Sequence, residues 1–571
     1  MSESSIPEPS PGTPPPADAH PPVTPEPAAA AGAGSAQARP ADPFAAPFAP
    51  PQHPQGPQHP QGPQPFRPQP LPPNRLMAET APARRSPATL RVLLAAAAAG
   101  LLAAWLLGEG VGANLLVCAL AATATAGLSA RAAGRRVRPW TVLWSVLAAV
   151  VLVVPVLSDA GWPTFLAVAS SLGLASLALH GGRRWTGVAL ALPGFLWHLV
   201  PSLPWALQAL RGRDYPARDK VVPILKATAV AVVLLIVFGT LFASADVAMG
   251  DVLSNLTPTV ELDDLPARFL RFVLGTVLVL GFAHLAAGPR IWDRATTEPG
   301  RERGRLEWAL PLTALNLMFA TFTVIQVVVL AGGRDAITKN TGMSRSEYAR
   351  QGFWQLMVIT VLTLGVVALA KRWAPRSTPA DHRLTRALLG TLCVLTLVVV
   401  GSALLRMSYY VDASGLTTLR LWVLVVEIWL GVVFLLVIAA GVLRSGSWLP
   451  RAVVLSAAVT AAVYGLMGPD AMVAEQNVAR YENSPARQID LRNVRDLSLD
   501  AVPALDRLPE DLRTCALQEI SRALADGPAP WYATSLAESR AREILERHPI
   551  GRHPAASCSA VGFKERYSYD Y

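Results

Sequence analysis

An all-α fold, a polytopic transmembrane helix bundle of about 11 spans, is what this sequence predicts. Three observations carry that expectation. Hydrophobic residues make up 52% of the 571 and charged residues only 16%, a balance too apolar for a water-soluble globule. The apolar residues gather in runs of about 20, the length a helix needs to cross roughly 30 Å of hydrocarbon. Arginines, which dominate the formal charge of +10, fall between those runs and not in a basic stripe with interleaved aromatics. That placement points to membrane orientation and away from nucleic acid as a partner.

The first element, over residues 1–88, is a proline-rich tail that holds roughly half of the 50 prolines and the tandem "PQHPQGPQHPQG" at 51–62. Proline at this density removes backbone donors and leaves too few large apolar side chains to offset ordering entropy, so the tail is expected to be disordered with polyproline II character. It is either a solvated tether or a ligand for a proline-binding protein partner. No charged start followed by a short apolar stretch and a cleavage site stands at Met1, so the tail is expected to stay attached.

The helical bundle, over 89–468, is read as spans near 90–108, 111–130, 140–157, 162–180, 222–243, 269–287, 307–331, 353–370, 384–405, 419–443 and 450–468. Basic residues resist translocation, which places Arg84, Arg85 and Arg91, then Arg131, Arg135, Arg136 and Arg138, and later the loop 289–305, in the cytoplasm. The acidic loop with Asp246, Asp251, Glu261, Asp263 and Asp264 then falls outside. Segment 185–210 is apolar but broken by Pro193, Pro201 and Pro204. A single crossing there would flip every later loop, so it is expected to be re-entrant or to lie in the interface. His198 within it is either hydrogen-bonded at the interface or turned toward a ligand.

An odd number of crossings delivers the region 469–571 to the outside of a cell (inner or plasma) membrane, where the spacing of its apolar residues predicts a small helical domain. Of the four cysteines, Cys118 and Cys393 sit in apolar runs, whereas Cys515 and Cys558 share this exported tail and are the pair that an oxidising compartment would allow to bond. The loop 332–354 is placed outside yet carries Arg334, Lys339, Arg345 and Arg350. Asp335 and Glu347 offset part of that charge. Alternatively the loop folds back as a lid, with Ser344 and Glu347 as a capping box and Arg345, Tyr348 and Arg350 on the same short helix.

One carboxylate stands inside an apolar run: Glu427 in "LRLWVLVVEIWLGVVF". It lies about 12 Å along its helix from Leu419 at 1.5 Å per residue, and burial in lipid costs on the order of 3 kcal/mol, so it is expected to face the bundle interior. Arg420 stands two turns above it. At similar depth the threading offers Gln326, Arg406 at the end of the preceding span, and Arg268 with Arg271 after the acidic loop. Together they form an expected outer polar cluster, either a substrate or proton site or an interhelical tie. His284 and Asn316 extend a proton path or only bond across helices.

Catalytic motifs are absent from the sequence: it has no G-x-S-x-G elbow, no phosphate loop, no H-E-x-x-H and no paired C-x-x-C, and no cofactor or metal is expected. "GEGVGA" at 108–113 is too short for a dinucleotide fingerprint. His548, His553 and Cys558 lack metal-ligand spacing.

"GMSRSEYARQGFW" (342–354), "YYVDASGLTTLRLWVLVVEIW" (409–429), "NVARY" (477–481) and "DLSLDAVPAL" (496–505) resemble the signature stretches of an uncharacterised family of bacterial multi-pass membrane proteins, a domain of unknown function. The resemblance runs from about Val221 to Leu508 and implies an integral membrane protein without an established reaction. Ser414 stands where the family favours an aromatic, and Gln351 where it favours a basic residue. Transport or ligand sensing through the cluster around Glu427 is the leading expectation. A membrane scaffold or regulatory anchor using the tail and the external domain is the alternative, and a membrane-embedded transferase the third.

Overall fold

The computed structural model describes residues 79–82, 85–211, 264–295, 304–331, 353–374, 378–484, 489–525, 527–551 and 554–562. Among these residues every regular element is helical. The bundle comprises α1 (Leu90–Leu106), α2 (Ala113–Ala132), α3 (Pro139–Val151, continued by the short turn Val154–Leu157), α4 (Gly161–His180), α5 (Ala191–Arg211), α6 (Leu265–Ala287), α7 (Arg305–Ala331), α8 (Phe353–Trp373), α9 (Pro379–Ser414), α10 (Thr418–Val442) and α11 (Leu449–Leu466). The C-terminal region adds α12 (Pro469–Asn483), α13 (Glu510–Ala523), α14 (Leu536–Arg547) and α15 (Pro554–Ala560). Nine stretches among the described residues are long and apolar enough to cross a membrane, and α1 is a shorter apolar helix. These agree with ten of the expected spans. The eleventh, 222–243, lies outside the described residues, as do the tail to residue 78 and the loop 332–352.

Local chemistry sets the helix ends. Thr89, Thr378 and Thr417 each cap the helix that follows, their hydroxyls accepting from Val92 N (3.4 Å), Asp381 N (3.2 Å) and Arg420 N (3.2 Å). Gly181 stops α4 and Gly415 stops α9, with φ of +71° and +81°, a conformation that costs glycine little. The sequence sets the end of α9 at residue 405, but the helix runs on to Ser414. At 36 residues it is about 54 Å long, well beyond the hydrocarbon thickness.

The helix ends define two faces. On the first, the arginine face, Arg135 donates to Ala286 O (3.1 Å) and Leu179 O (2.7 Å), Arg451 to Gly182 O (3.0 Å) and Gly181 O (3.3 Å), and Arg85 to Gly288 O (3.3 Å). On the second, the capped face, the C-terminal region packs over the turns between α1 and α2, α3 and α4, and α9 and α10. The core of α7 to α10 runs without a break into the buried side chains of that region, including Val473, Val502, Leu505 and Leu517. Helices α1, α5 and α6 share a separate core.

Segment 185–210 forms a short helix, Trp185–Ala189, and then α5, which keeps Pro201 and Pro204 inside it. Phe195 stacks on Phe282 at 4.2 Å and Trp205 lies 5.3 Å from His284. Between these contacts Leu199 lies against Gly281, where an added Cβ would come within 2.5 Å of its Cδ2, so α5 packs along the last turns of α6. Trp205 Nε1 reaches Ser86 O just ahead of α1 (3.0 Å).

Lipid supplies no hydrophobic drive between helices, so close approach rests on small residues. Helices α1 and α6 cross at Gly100 and Gly275. A Cβ at Gly100 would lie 2.0 Å from Thr276 Oγ1 and 3.0 Å from Phe272 O, and one at Gly275 would lie 2.8 Å from Ala103 Cβ. Gly100→Leu is therefore expected to destabilise the bundle by about 1–3 kcal/mol. Thermal unfolding of the detergent-solubilised protein checks this, with Gly173→Leu, a position with open space around it, as the comparison that leaves the melting temperature in place.

Candidate functional site

Glu427 lies in α10 and is fully buried. Its Oε1 accepts from Thr360 Oγ1 of α8 at 3.2 Å, and Oε2 has no hydrogen-bond partner among the described residues. Thr360, also fully buried, is 3.0 Å from Leu356 O one turn back. One turn of helix places each group. Both residues stand in runs whose neighbours are apolar, so the polar pair is sealed between α8 and α10. A second polar contact joins α7 and α9, where Ser402 donates to Gln326 Oε1 at 2.9 Å. A third ties Asn316 Nδ2 of α7 to Leu388 O of α9 at 3.1 Å.

The arginines expected beside Glu427 have other partners. Arg420 sits 4.0 Å over the Tyr410 ring and donates to Gly415 O (2.5 Å), so its charge is drawn toward the helix ends and away from the carboxyl. Arg271 donates to Leu107 O, while Arg268 pairs with Asp264 (3.6 Å) and lies 5.6 Å from the Trp105 ring. Those two belong to the junction of α1 and α6. Arg406 lies two turns before the end of α9, whose extension past residue 405 moves it inside the helix. The lid residues Arg345, Glu347, Tyr348 and Arg350 lie outside the described residues.

Nine residues above Glu427, α10 begins at a joint. Thr418 Oγ1 donates to Asp470 (3.1 Å), Asn477 Nδ2 to Leu416 O (2.8 Å) and Arg480 to Ala413 O (2.6 Å). Asp470 also accepts from Ser498 N (3.0 Å). Nearby, Asp500 Oδ2 gathers Ser158 Oγ (3.0 Å), Asp159 N (2.8 Å) and Ser498 Oγ (3.0 Å). An aromatic run, Trp162 to Trp422 at 5.8 Å and Trp422 to Tyr464 at 5.0 Å, joins α4, α10 and α11 beneath it.

Sequence reasoning missed two parts of this face. "GEGVG" proves to be a docking turn: Asn114 N donates to Tyr532 O at 2.9 Å, and a Cβ at Gly110, whose φ is +152°, would lie 2.4 Å from Ala533 O. Arg513 is the other. It is fully buried and donates to Asp506 (2.8 Å) and Pro549 O (3.1 Å), with His548 Nδ1 also 3.2 Å from Asp506. The spacing of acids and amides across 400 residues gives no sign of either. Cys515 and Cys558 form a disulfide between α13 and α15, and Cys118 and Cys393 are free. Among the described residues no group of three or more His, Cys, Asp or Glu is placed to hold a metal ion.

A many-helix bundle with a helical cap and a buried intramembrane carboxyl defines an integral, multi-pass membrane protein. The chain belongs to the family described as Domain of unknown function (DUF4153), which matches residues 145–508. The match begins well ahead of Val221 and so takes in α4, α5 and the Ser158 turn, regions without any of the signature stretches. It stops before the disulfide and the Tyr532 contact. No curated protein and no solved structure matches the chain.

Two outcomes test the capped face. Gly110→Val is expected to loosen the seam with Ala533 by about 1–3 kcal/mol, read as faster amide exchange over 528–535 with the bundle unchanged. The second concerns pH. Desolvation at the seam, then the carboxylates of Asp500, Glu538 and Asp470, push the Asp159 carboxyl up to about 6, although the residue keeps an exposed edge. A raised acid favours the seam in its protonated form, so the contribution is full below about pH 4 and is lost as pH rises through about 6. Exchange at the seam is expected to slow from pH 7 to pH 5 beyond the intrinsic effect, and Asp159→Asn to remove that difference.

Proposed function

We propose that the protein is a transporter or ligand sensor of a cell membrane whose responsive group is Glu427. The single observation behind this reading is a wholly buried carboxyl with one oxygen on Thr360 and the other without a partner. Thr360 has one hydroxyl hydrogen and two acceptors in reach, Leu356 O and Glu427 Oε1. An ionised Glu427 draws that hydrogen to itself. A protonated Glu427 donates its own hydrogen to Thr360 and leaves the threonine bonded within α8. A proton or cation arriving at Glu427 therefore exchanges a bond between helices for one inside a helix, which is the kind of two-state element that couples a ligand to helix packing.

Orientation follows from charge. The arginine face is cytoplasmic and the capped face external, so the tail starts inside and the disulfide region ends outside, in keeping with an oxidising compartment. Segment 185–210 enters and leaves on the cytoplasmic face as a re-entrant or interfacial element.

A scaffold or regulatory anchor is the second reading, and Trp531 favours it: the ring is 82% exposed beside the docked Tyr532, a surface for a protein partner. Complementation separates the two. In cells lacking the protein, growth over a range of external pH is expected to be restored by the wild type and lost with Glu427→Gln, with insertion and melting temperature preserved. Thr360→Val is expected to give the same defect at smaller size. Full complementation by Glu427→Gln, together with failure of Trp531→Ala, would reverse the choice.

A further inference from the structure

Away from Glu427, the arginine face holds a cleft of about 720 Å³ lined by Arg183, Arg184 and Arg451 and by the indoles of Trp140, Trp185 and Trp448. Among the described residues, its lining carries three guanidinium groups and no carboxylate. The neighbouring carboxylate, Asp293, is already engaged by the backbone N–H groups of Arg183 (2.9 and 3.0 Å) and Arg184 (2.9 Å). Arg451 is held in place, its Nε and Nη2 on the carbonyls of Gly182 and Gly181 and its guanidinium 4.7 Å over the Trp140 ring. Arg183 and Arg184 are exposed and form no side-chain bond or ion pair among the described residues. Thr186 Oγ1, also on the wall, is buried without a hydrogen-bond partner.

Each feature narrows the ligand. Three guanidinium groups outnumber the one described carboxylate beside them, Asp293, whose oxygens are taken by backbone N–H groups, so the cleft favours an anion, and the planar forks match the oxygens of a phosphate. Half-exposed indoles, with Trp140 at 40% and Trp185 at 52%, make a rim suited to the boundary between headgroup and acyl chain. Basic pockets between helices on one membrane face are where anionic headgroups are held.

We propose that this cleft binds a phosphate group, carried either by an anionic membrane lipid or by a soluble phosphate. Arg183 and Arg184 supply the mobile cationic contacts, and Arg451 the fixed one. The proposal is independent of the role of Glu427.

The test uses the full-length protein in phosphatidylcholine nanodiscs. One arm adds phosphatidylglycerol, the other adds inorganic phosphate, and oleate serves as an anion without phosphorus. Bound ligand is counted by native mass spectrometry and affinity taken from the shift in melting temperature. Binding of phosphatidylglycerol assigns the lipid source, and binding of inorganic phosphate alone assigns the soluble one. Each guanidinium removed is expected to weaken binding about fivefold, so the Arg183→Gln, Arg184→Gln double variant loses roughly 25-fold while melting unchanged without ligand. Ser447→Glu, which puts a carboxylate on the same wall, is expected to weaken binding as well. Neither ligand binding, oleate binding as well as phosphatidylglycerol, or both variants binding like the wild type would overturn the proposal.

Discussion

Helix ends hold this bundle in register, and the guanidinium of Arg135 is the contact on which the rest depends. The last carbonyls of a helix have no partner within it. From the turn after α2, one side chain closes the ends of α4 and α6 together, donating to Leu179 O and Ala286 O. Arg451 does the same for the Gly181 and Gly182 carbonyls from the start of α11, and Arg85 for Gly288 from ahead of α1. Because packing in lipid gives little sense of depth, these bonds set how far each helix slides past its neighbour. The arginines that fix orientation by resisting translocation thus also fix vertical alignment.

The capped face works by the opposite charge. Carboxylates of the C-terminal region, Asp470 and Asp500, accept from backbone and hydroxyl donors on turns that belong to different parts of the bundle. Asp500 reaches the turn before α4, and Asp470 the start of α10. One rigid region, closed by the Cys515–Cys558 disulfide and by buried Arg513, therefore ties the two parts together. Asp159 sits at that seam among acids, and this crowding makes the contact the weaker one at neutral pH.

Much of the fold is legible in the sequence because crossing a bilayer demands runs of apolar residues that periodicity and length reveal at once. Arginine placement separates the faces for the same reason. The far end of α9 is not legible: "RMSYYVDAS" reads as a loop by hydropathy, yet it stays helical because Arg480 satisfies the Ala413 carbonyl near its end, Gly415 turns the chain, and Asn477 holds the Leu416 carbonyl in the turn beyond. Glu427 stands out in the sequence as a charge in an apolar run, but its partner does not, since Thr360 is an ordinary threonine in a distant helix. Nor does the sequence show where Arg420 is held. Arg420 lies about 10 Å up the same helix, where an aromatic ring and a helix-end carbonyl compete for it successfully.

Three of the four stretches by which the chain resembles its family meet at one place. "YYVDASGLTTLR" supplies Tyr410 under Arg420, the left-handed Gly415, the Thr417 cap and the Thr418 contact. "NVARY" supplies Asn477 and Arg480, and a Cβ at Gly415 would lie 2.4 Å from the Asn477 amide oxygen. "DLSLDAVPAL" supplies Ser498 and Asp500, which carry the contact on to Asp470 and to the turn before α4. These three stretches therefore build the joint between α9, α10 and the cap. Helix α10 carries both that joint and Glu427, about 14 Å apart along one rigid rod. On the proposed role of Glu427, a change in its bond to Thr360 is carried along α10 to the tightly bonded start of that helix and so to the cap. The buried carboxyl and the joint with the C-terminal region are for that reason two ends of a single element.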